Sequence, residues 1–440
     1  MKISPLLTQF SPTYFSVDCG MAYLIRLSDG RFAVIDSAYG EYDEPDRLYS
    51  LMCEQNVTED MPRVAAWFFT HPHGDHINGF INMSRKYLDK IAVERVYFDF
   101  PPYSVSSATC DMPAFLGAIE AFGAKTVSPR RGDVIELASE KFEVLYTASD
   151  WQKEFTNVND ASLVMKIHLG NYTFMSVGDL MERSARVLMS HHSPEVLKCD
   201  IMQMAHHGYW GGCTDFFATV DPEIVLWPMP EFRYLDILEL DHNRYFKYMD
   251  NRIRHIFFSG IEENTFDMTK PIEITVPYKP IKIVTDFSKK SVSALGWSCF
   301  TGGHMGYAPA KLEFKDSSAT LRSHNSRTLL QLIQRGQVAV SDGYRLSLTL
   351  IPRENCELLG LIYDCPALTT PDLFTVRHIP HKAGERIDVT LTVDRASGSA
   401  ALVIGGASER LSLESAEPCD AVLIMKNATV TIEKVEFENI

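Results

Sequence analysis

The sequence has no C-x-x-C pair, and its nine cysteines (Cys19, Cys53, Cys110, Cys199, Cys213, Cys299, Cys356, Cys365, Cys419) stand at wide spacing. An odd, scattered set argues against a disulfide framework or a thiolate metal cage and leaves buried, reduced thiols as the expectation. Cys213 alone sits near other reactive side chains, a few residues beyond a His-His-Gly turn, and the inert reading is preferred for it too. Positive charge is scarce: 42 Lys and Arg against 57 Asp and Glu give a formal net charge of −15. So acidic a chain repels bulk polyanions, and nucleic acid is not an expected partner. Long apolar runs are missing as well. The first twelve residues have no continuous apolar core behind Lys2, and no later stretch approaches the roughly 18 residues that span a bilayer. A cytoplasmic protein without a membrane partner is expected.

At 440 residues the chain can bury two cores, so two domains are the starting expectation. Residues 22–27 and 31–36 flank Ser28-Asp29-Gly30 as a hairpin. Residues 64–70 are a short run of β-formers. Pro72 and Gly74 exclude a strand or helix interior just after it, which puts His71 to His76 on a loop at a strand end. Apolar positions 77, 80, 81 and 83 predict a short helix leaving that loop. Further strands are expected at 95–100, 134–137, 142–146, 200–205, 224–227, 256–258 and 272–276, with helices at 112–122 and 182–191. Residues 162–169 and 172–177 flank Gly170-Asn171 as a second hairpin, which runs directly into Gly178-Asp179. From about residue 290 short alternating runs at 346–351, 387–393, 400–404 and 421–425 are separated by turns, the texture of an all-β sandwich. The expected units are therefore 1–288, α/β, and 289–440, all-β and jelly-roll-like.

His71-Pro72-His73-Gly74-Asp75-His76 places three of the 14 histidines and a carboxylate within six positions. Imidazole and carboxylate suit Zn²⁺, Fe²⁺ or Mn²⁺, and two ligands on each side of a tight loop can face two ions about 3.5–4 Å apart. A His-rich surface loop is the bland alternative, and the further candidates that follow downstream in order weigh against it.

The loop matches in full the H-x-H-x-D-H signature of the metallo-β-lactamase superfamily, which the chain resembles over about residues 14–280. The resemblance implies an αββα sandwich holding two divalent ions, with Zn²⁺ as first expectation and Mn²⁺ or Fe²⁺ as alternatives. It implies His71 and His73 on one ion, Asp75 and His76 on the other, and Asp179 as the bridge. Met204-Ala-His206-His207-Gly208 is similar to the H-H-G variant of the ComEC-like and phosphorylcholine-esterase-like branches. There His206 is the expected ligand and His207 a catalytic or substrate-facing neighbour. Many members carry one more histidine before the bridging aspartate, whereas this chain reads Asn157-Val-Asn159-Asp160-Ala-Ser162. Asp160 is expected in its place, with Asn159 as the alternative; an Asx-turn role for Asp160 would leave that ion a ligand short.

Two ions can acidify a shared water near neutral pH, so hydrolysis needs no nucleophilic side chain, and Asp75 is a candidate to orient that water. The first functional reading is hydrolysis of a small phosphoester or phosphodiester. Opening of a lactone, thioester or lactam is the second, and a degenerate scaffold whose sandwich binds a glycan or protein is the third. Tyr209 and Trp210 are candidate substrate-binding rings, with Tyr103 and Trp227 behind them and core packing as the alternative for each. Arg130-Arg131 could clamp a phosphate, and His242-Asn243 could reach the site or cap a helix. After residue 320 the only rings are Tyr344, Tyr363, Phe374 and Phe437. That is too few for a sugar platform, so the second unit is expected to serve assembly, as in a homo-oligomer, or to shape the substrate site.

Overall fold

A computed structural model of the protein describes residues 3–12, 20–40, 43–58, 60–102, 106, 109–150, 157–229, 237, 240–248, 251–259, 263–273, 282–289, 298–301, 311–323, 328–333, 343–363, 376–413 and 421–440. Tyr103, residues 274–276 of the expected closing strand, and Cys19, Cys365 and Cys419 lie outside the described residues.

The first half begins β1 (Leu6–Gln9), β2 (Ala22–Arg26), β3 (Phe32–Asp36), α1 (Glu44–Gln55), β4 (Arg63–Phe68) and α2 (Gly74–Lys86). It continues β5 (Ala92–Val93), β6 (Arg95–Tyr97), α3 (Met112–Phe122) and β7 (Lys125–Val127). Then follow β8 (Val134–Leu137), β9 (Glu140–Tyr146), β10 (Val164–Leu169), β11 (Tyr172–Ser176), α4 (Glu182–His191) and α5 (Pro194–Leu197). It ends β12 (Ile201–Gln203), α6 (Thr214–Val220), β13 (Ile224–Trp227), α7 (Arg244–Tyr248), β14 (His255–Phe258) and β15 (Asn264–Asp267). One sheet runs β15-β1-β2-β3-β4-β6-β7, with β5 beside β4, and the other β14-β13-β12-β11-β10-β9-β8. One core joins Leu7, Ile35 and Phe68 of the first sheet to Phe142, Ile167 and Leu226 of the second. A second core packs Val34 and Trp67 against Leu48, Phe80 and Phe115 of α1, α2 and α3. A third packs Met175, Met202 and Val225 against Leu188, Leu197 and Phe217 of α4, α5 and α6.

Both expected hairpins form, β2–β3 and β10–β11. β15 pairs antiparallel with β1, Leu6 opposite Asp267, and of the expected closing strand the described residues Ile272 and Glu273 are irregular. The helix after the histidine loop starts earlier than its apolar positions suggest. Gly74 is its first residue, so Asp75 and His76 sit in the first turn, where the free N–H groups of a helix start make Pro72 and Gly74 harmless.

Strand direction positions the site. β3 and β4 are parallel, as are β11, β12 and β13, so Asp36, Thr70, Gly178 and His206 all follow the carboxyl ends of strands. Loops at that edge of a parallel sheet are where α/β proteins build binding sites. Helix α2 is seated against the β3 loop through Gly79. The Gly79 N–H donates to Ala38 O at 3.2 Å, and the Ser37 hydroxyl donates to His76 O at 2.8 Å. A Cβ on Gly79 would fall 1.8 Å from Ser37 O.

Among the described residues of the second half the regular elements are strands apart from a 3₁₀ turn at Phe287–Lys289: β16 (Lys282–Val284), β17 (Ser298–Thr301), β18 (Lys311–Lys315), β19 (Ser318–Ser323), β20 (Thr328–Ile333) and β21 (Gly343–Pro352). After these come β22 (Leu358–Ile362), β23 (Arg377–His378), β24 (Ile387–Asp394), β25 (Ser399–Ile404), β26 (Ala407–Ser412), β27 (Ala421–Lys426) and β28 (Ala428–Asn439). Sheets β18-β19-β28-β21-β24-β25-β26, with β16 on β28, and β17-β20-β27-β22-β23 share one core, in which Leu348, Leu391 and Val430 meet Leu330, Leu361 and Leu423. The period-2 runs of the sequence map onto β21, β24, β25 and β27. Among the described residues no helix is long and apolar enough to cross a membrane.

Replacing Gly79 by Ala must push α2 off the β3 loop, and overpacking of this kind costs roughly 1–3 kcal/mol. A G79A variant is expected to unfold at lower denaturant with an unchanged slope in urea titrations; an unchanged midpoint would show that α2 is seated otherwise.

Candidate metal centre

Asp179 is the centre of the site. It is 1% exposed, and its two carboxylate oxygens face different histidines. Oδ1 lies 3.4 Å from His76 Nε2 and 3.4 Å from His207 Nε2. Oδ2 lies 3.5 Å from His71 Nε2 and 3.8 Å from His206 Nε2. Two groups of ligand atoms result, each within 4.8 Å: Asp75, His76, Asp179 and His207, and His71, His73 and Asp179.

Each ring is oriented from behind. Asp36, at the end of β3, accepts from His76 Nδ1 at 2.7 Å and from the Thr70 hydroxyl at 2.7 Å. With its one proton given to Asp36, the Thr70 oxygen can only accept from His71 Nδ1, 3.1 Å away. Pro228 O accepts from His207 Nδ1 at 3.0 Å. These contacts fix a proton on Nδ1 and turn Nε2 of His71, His76 and His207 toward Asp179, the arrangement that orients histidine ligands in metal sites.

The loops are braced in the same manner. The Gln203 side chain accepts from Val177 N and Gly178 N at 2.8 and 2.7 Å and donates to Gly178 O at 2.8 Å, while Ser162 Oγ accepts from Asp179 N at 3.0 Å. Gly178 has φ +54°, and a Cβ there would meet the Thr70 side chain at 2.7 Å. His206 and His207 both adopt left-handed backbone, φ 48° and 53°. Non-glycine residues held so cost of order 1–3 kcal/mol each and persist only where their surroundings hold them. Here Asn243 donates to Gly208 O at 2.7 Å and Trp227 Nε1 donates to His207 O at 2.8 Å.

Burial and mutual attraction set the protonation. Burial opposes charge on Asp179, but His207, His76, His71 and His206 outweigh it and hold its carboxyl well below the usual range. Asp75 is likewise lowered, with His76 and His207 outweighing its burial. Burial works against a proton on His207, yet Asp179 and Asp75 draw it up to about 10, and the same two carboxylates with Asp36 raise His76. His71, His73 and His206 are lowered, mainly by burial, His206 to about 4. Among the described residues His76 Nε2, His207 Nε2, Asp179 Oδ1, His206 Nδ1 and Asn159 Oδ1 are buried without a hydrogen-bond partner. Buried polar atoms are seldom left unsatisfied. The first three converge on the four-residue group, and imidazole nitrogen with carboxylate oxygen is a donor set that fits divalent cations.

Not every expected residue joins. His207, not His206, completes the group with Asp75 and His76, because Pro228 anchors its far nitrogen and turns Nε2 inward. His206 stands on the other side of Asp179, where Asn159 Nδ2 lies 3.2 Å from its Nε2. Asp160 faces away from the site. Its carboxylate accepts from Ser184 Oγ at 2.9 Å and its carbonyl from Tyr146 OH at 2.7 Å, so it ties the 157–161 turn to α4 and β9. Asn159, the alternative, is the member of that pair that faces the centre.

Tyr209 is 6% exposed, with its ring 6.2 Å from that of His206, and Trp210 beside it is 54% exposed. Trp227 is fully buried beneath the His-His-Gly turn and offers no wall to a ligand. Arg131 pairs with Asp150 at 2.6 Å, and His242 bonds the Tyr209 carbonyl, outside both ligand groups. Cys213 is 4% exposed and burial pushes its thiol up, which keeps it inert. Asp36 and Gln203 carried no motif, and a polar residue closing each apolar strand was the available sign; Asn243, expected to reach the site or cap a helix, braces the His-His-Gly turn.

No family model and no curated protein matches the chain. Among solved structures it is similar to the metallo-beta-lactamase fold protein YhfI from Bacillus subtilis, at 12% identity over 60% of this chain and 99% of that one, TM-score 0.38. It is also similar to CmlA, a diiron beta-hydroxylase from Streptomyces venezuelae, at 10% identity over 61% of this chain and 55% of that one, TM-score 0.38. A third is the carbohydrate binding module CBM66 from Bacillus subtilis, at 9% identity over 33% of this chain and 96% of that one, TM-score 0.25.

The proton on His207 stabilises the cation-free centre fully below the ordinary histidine value of 6.5, and that contribution fades as pH rises through about 10; His76, also raised, acts in the same direction. A bound metal must displace these protons, so zinc affinity is expected to climb with pH, about tenfold per unit for each proton released. Competitive zinc titrations at pH 6, 7 and 8 measure this, and a flat profile would contradict the raised imidazoles. A D36N variant frees His76 and is expected to weaken metal binding roughly 10–100-fold without loss of fold, read by the same titration with circular dichroism as the control.

Proposed function

We propose that this chain is a hydrolase of the metallo-β-lactamase superfamily that works through two divalent cations on a small phosphoester or phosphodiester. The division of Asp179 between two groups of buried histidines carries the reading. The three cores of the first half fit an αββα layering, with residues 1–288 as the catalytic unit and 289–440 as an accessory sandwich joined near β16. Two cations held there would polarise the scissile oxygen and acidify an attacking water.

The chain's own groups do the rest. Asp75 Oδ2 lies 3.3 Å from His207 Nε2, where it can hold the proton of a water aimed along the pair. His206 and Asn159 flank the His71 and His73 side and offer polar atoms to substrate oxygens. Trp210 presents an exposed ring to whatever group the substrate carries. Zn²⁺ suits this mixed nitrogen and oxygen set best, with Mn²⁺ next. The net charge of −15 favours a small molecule over a long polyanion.

Protein reconstituted with zinc or manganese is expected to hold two ions by elemental analysis and to turn over bis-p-nitrophenyl phosphate or p-nitrophenyl phosphate. D179A is expected to lose metal and turnover together; a fully active variant with two ions would place the bridge elsewhere. Turnover confined to lactones, thioesters or lactams would move the substrate to the second class. Folded protein that takes up no metal would leave a scaffold.

A further inference from the structure

The second half holds a cavity unrelated to the metal centre. Where β19, β21 and β28 meet at one end of the sandwich, a solvent-open hollow of about 490 Å³ is lined by Arg322, Ser323, Arg353, Glu354, Asn427 and Thr429. The volume lies within the range of small-molecule sites. The three segments are locked together: Arg322 and Ser323 pair in register with Thr429 and Ala428, and Arg353 N donates to Thr429 O at 2.7 Å.

The lining has no aromatic or large aliphatic side chain, so a ligand there is held by hydrogen bonds and charge. Arg353 Nε donates to Thr431 Oγ1 at 2.8 Å, which fixes the guanidinium plane and leaves its terminal nitrogens free. Among the described residues neither Arg322 nor Arg353 has a carboxylate partner. Glu354 is engaged by the Thr429 hydroxyl at 2.5 Å, and Asn427, at φ 43°, donates to Glu357 at 2.5 Å. Two guanidiniums on one face of the sheet, on either side of Thr429 and without a carboxylate partner among the described residues, are the counterpart of an absent anion, since guanidinium forks match carboxylates in bidentate fashion.

We infer that this cavity binds an acidic sugar, a ring-sized polyol carrying one carboxylate. Arg322 and Arg353 take the carboxylate, and Glu354 and Asn427 take hydroxyls. Two cations against one carboxylate leave a single positive charge, which suits a monoanion, whereas a phosphate dianion would face Glu354. The scarcity of aromatic rings after residue 320 excludes a stacking platform and leaves this polar mode open.

Calorimetric titration of the full chain with D-glucuronate and D-galacturonate tests the assignment against acetate, D-glucose and glucose 6-phosphate. One uronate is expected to saturate a single site at least tenfold more tightly than acetate, glucose or glucose 6-phosphate. R322A and R353A are expected to weaken it at least tenfold, R322K and R353K to recover only part of that, and D179N to leave it unchanged. Four outcomes would overturn the proposal: no saturable uronate binding, acetate binding as tightly, glucose 6-phosphate binding more tightly, or uronate binding retained in folded R322A and R353A.

Discussion

A carboxylate removed from water among four imidazoles is the constraint on which the first half of this protein depends. Burying a charge is costly unless it is paired, and Asp179 is paired on both oxygens, with His76 and His207 at one and His71 and His206 at the other. These residues come from three separate strand ends. The arrangement holds only if both sheets stay in register, and each loop has its own brace: Asp36 for the histidine loop, Gln203 for Gly178, Asn243 and Trp227 for the His-His-Gly turn.

The energetic logic is an exchange. Left-handed backbone at His206 and His207, and buried nitrogens without hydrogen-bond partners, are local costs that a soluble domain would ordinarily avoid. They fit one device, because these nitrogens, once deprotonated, and the same carboxylates are the donors a divalent cation takes. Protons drawn onto His76 and His207 stand in for that charge, which couples occupancy of the centre to pH.

The two halves solve different problems with the same backbone chemistry. In the first, parallel strands deliver polar residues to one edge while three apolar cores hold the layers. In the second, antiparallel strands enclose one large core and leave polar residues at their ends, where Arg322 and Arg353 line the same hollow. Neither set draws on the other for its geometry.

What the sequence by itself determined is local and periodic. The hairpins at Ser28–Gly30 and Gly170-Asn171, the helix at 182–191 and the strands at 224–227 and 387–393 were legible because turn chemistry and side-chain alternation act between near neighbours. Six crowded positions from His71 to His76 announced ligands for the same reason. Tertiary structure decided which neighbour of a pair faces inward. His207 rather than His206 joins Asp75 and His76, and Asn159 rather than Asp160 faces His206, because Pro228 and Ser184, far off in sequence, hold the far ends of His207 and Asp160. No motif spacing encodes that choice, since it follows from hydrogen bonds that exist only after the two sheets have closed on each other.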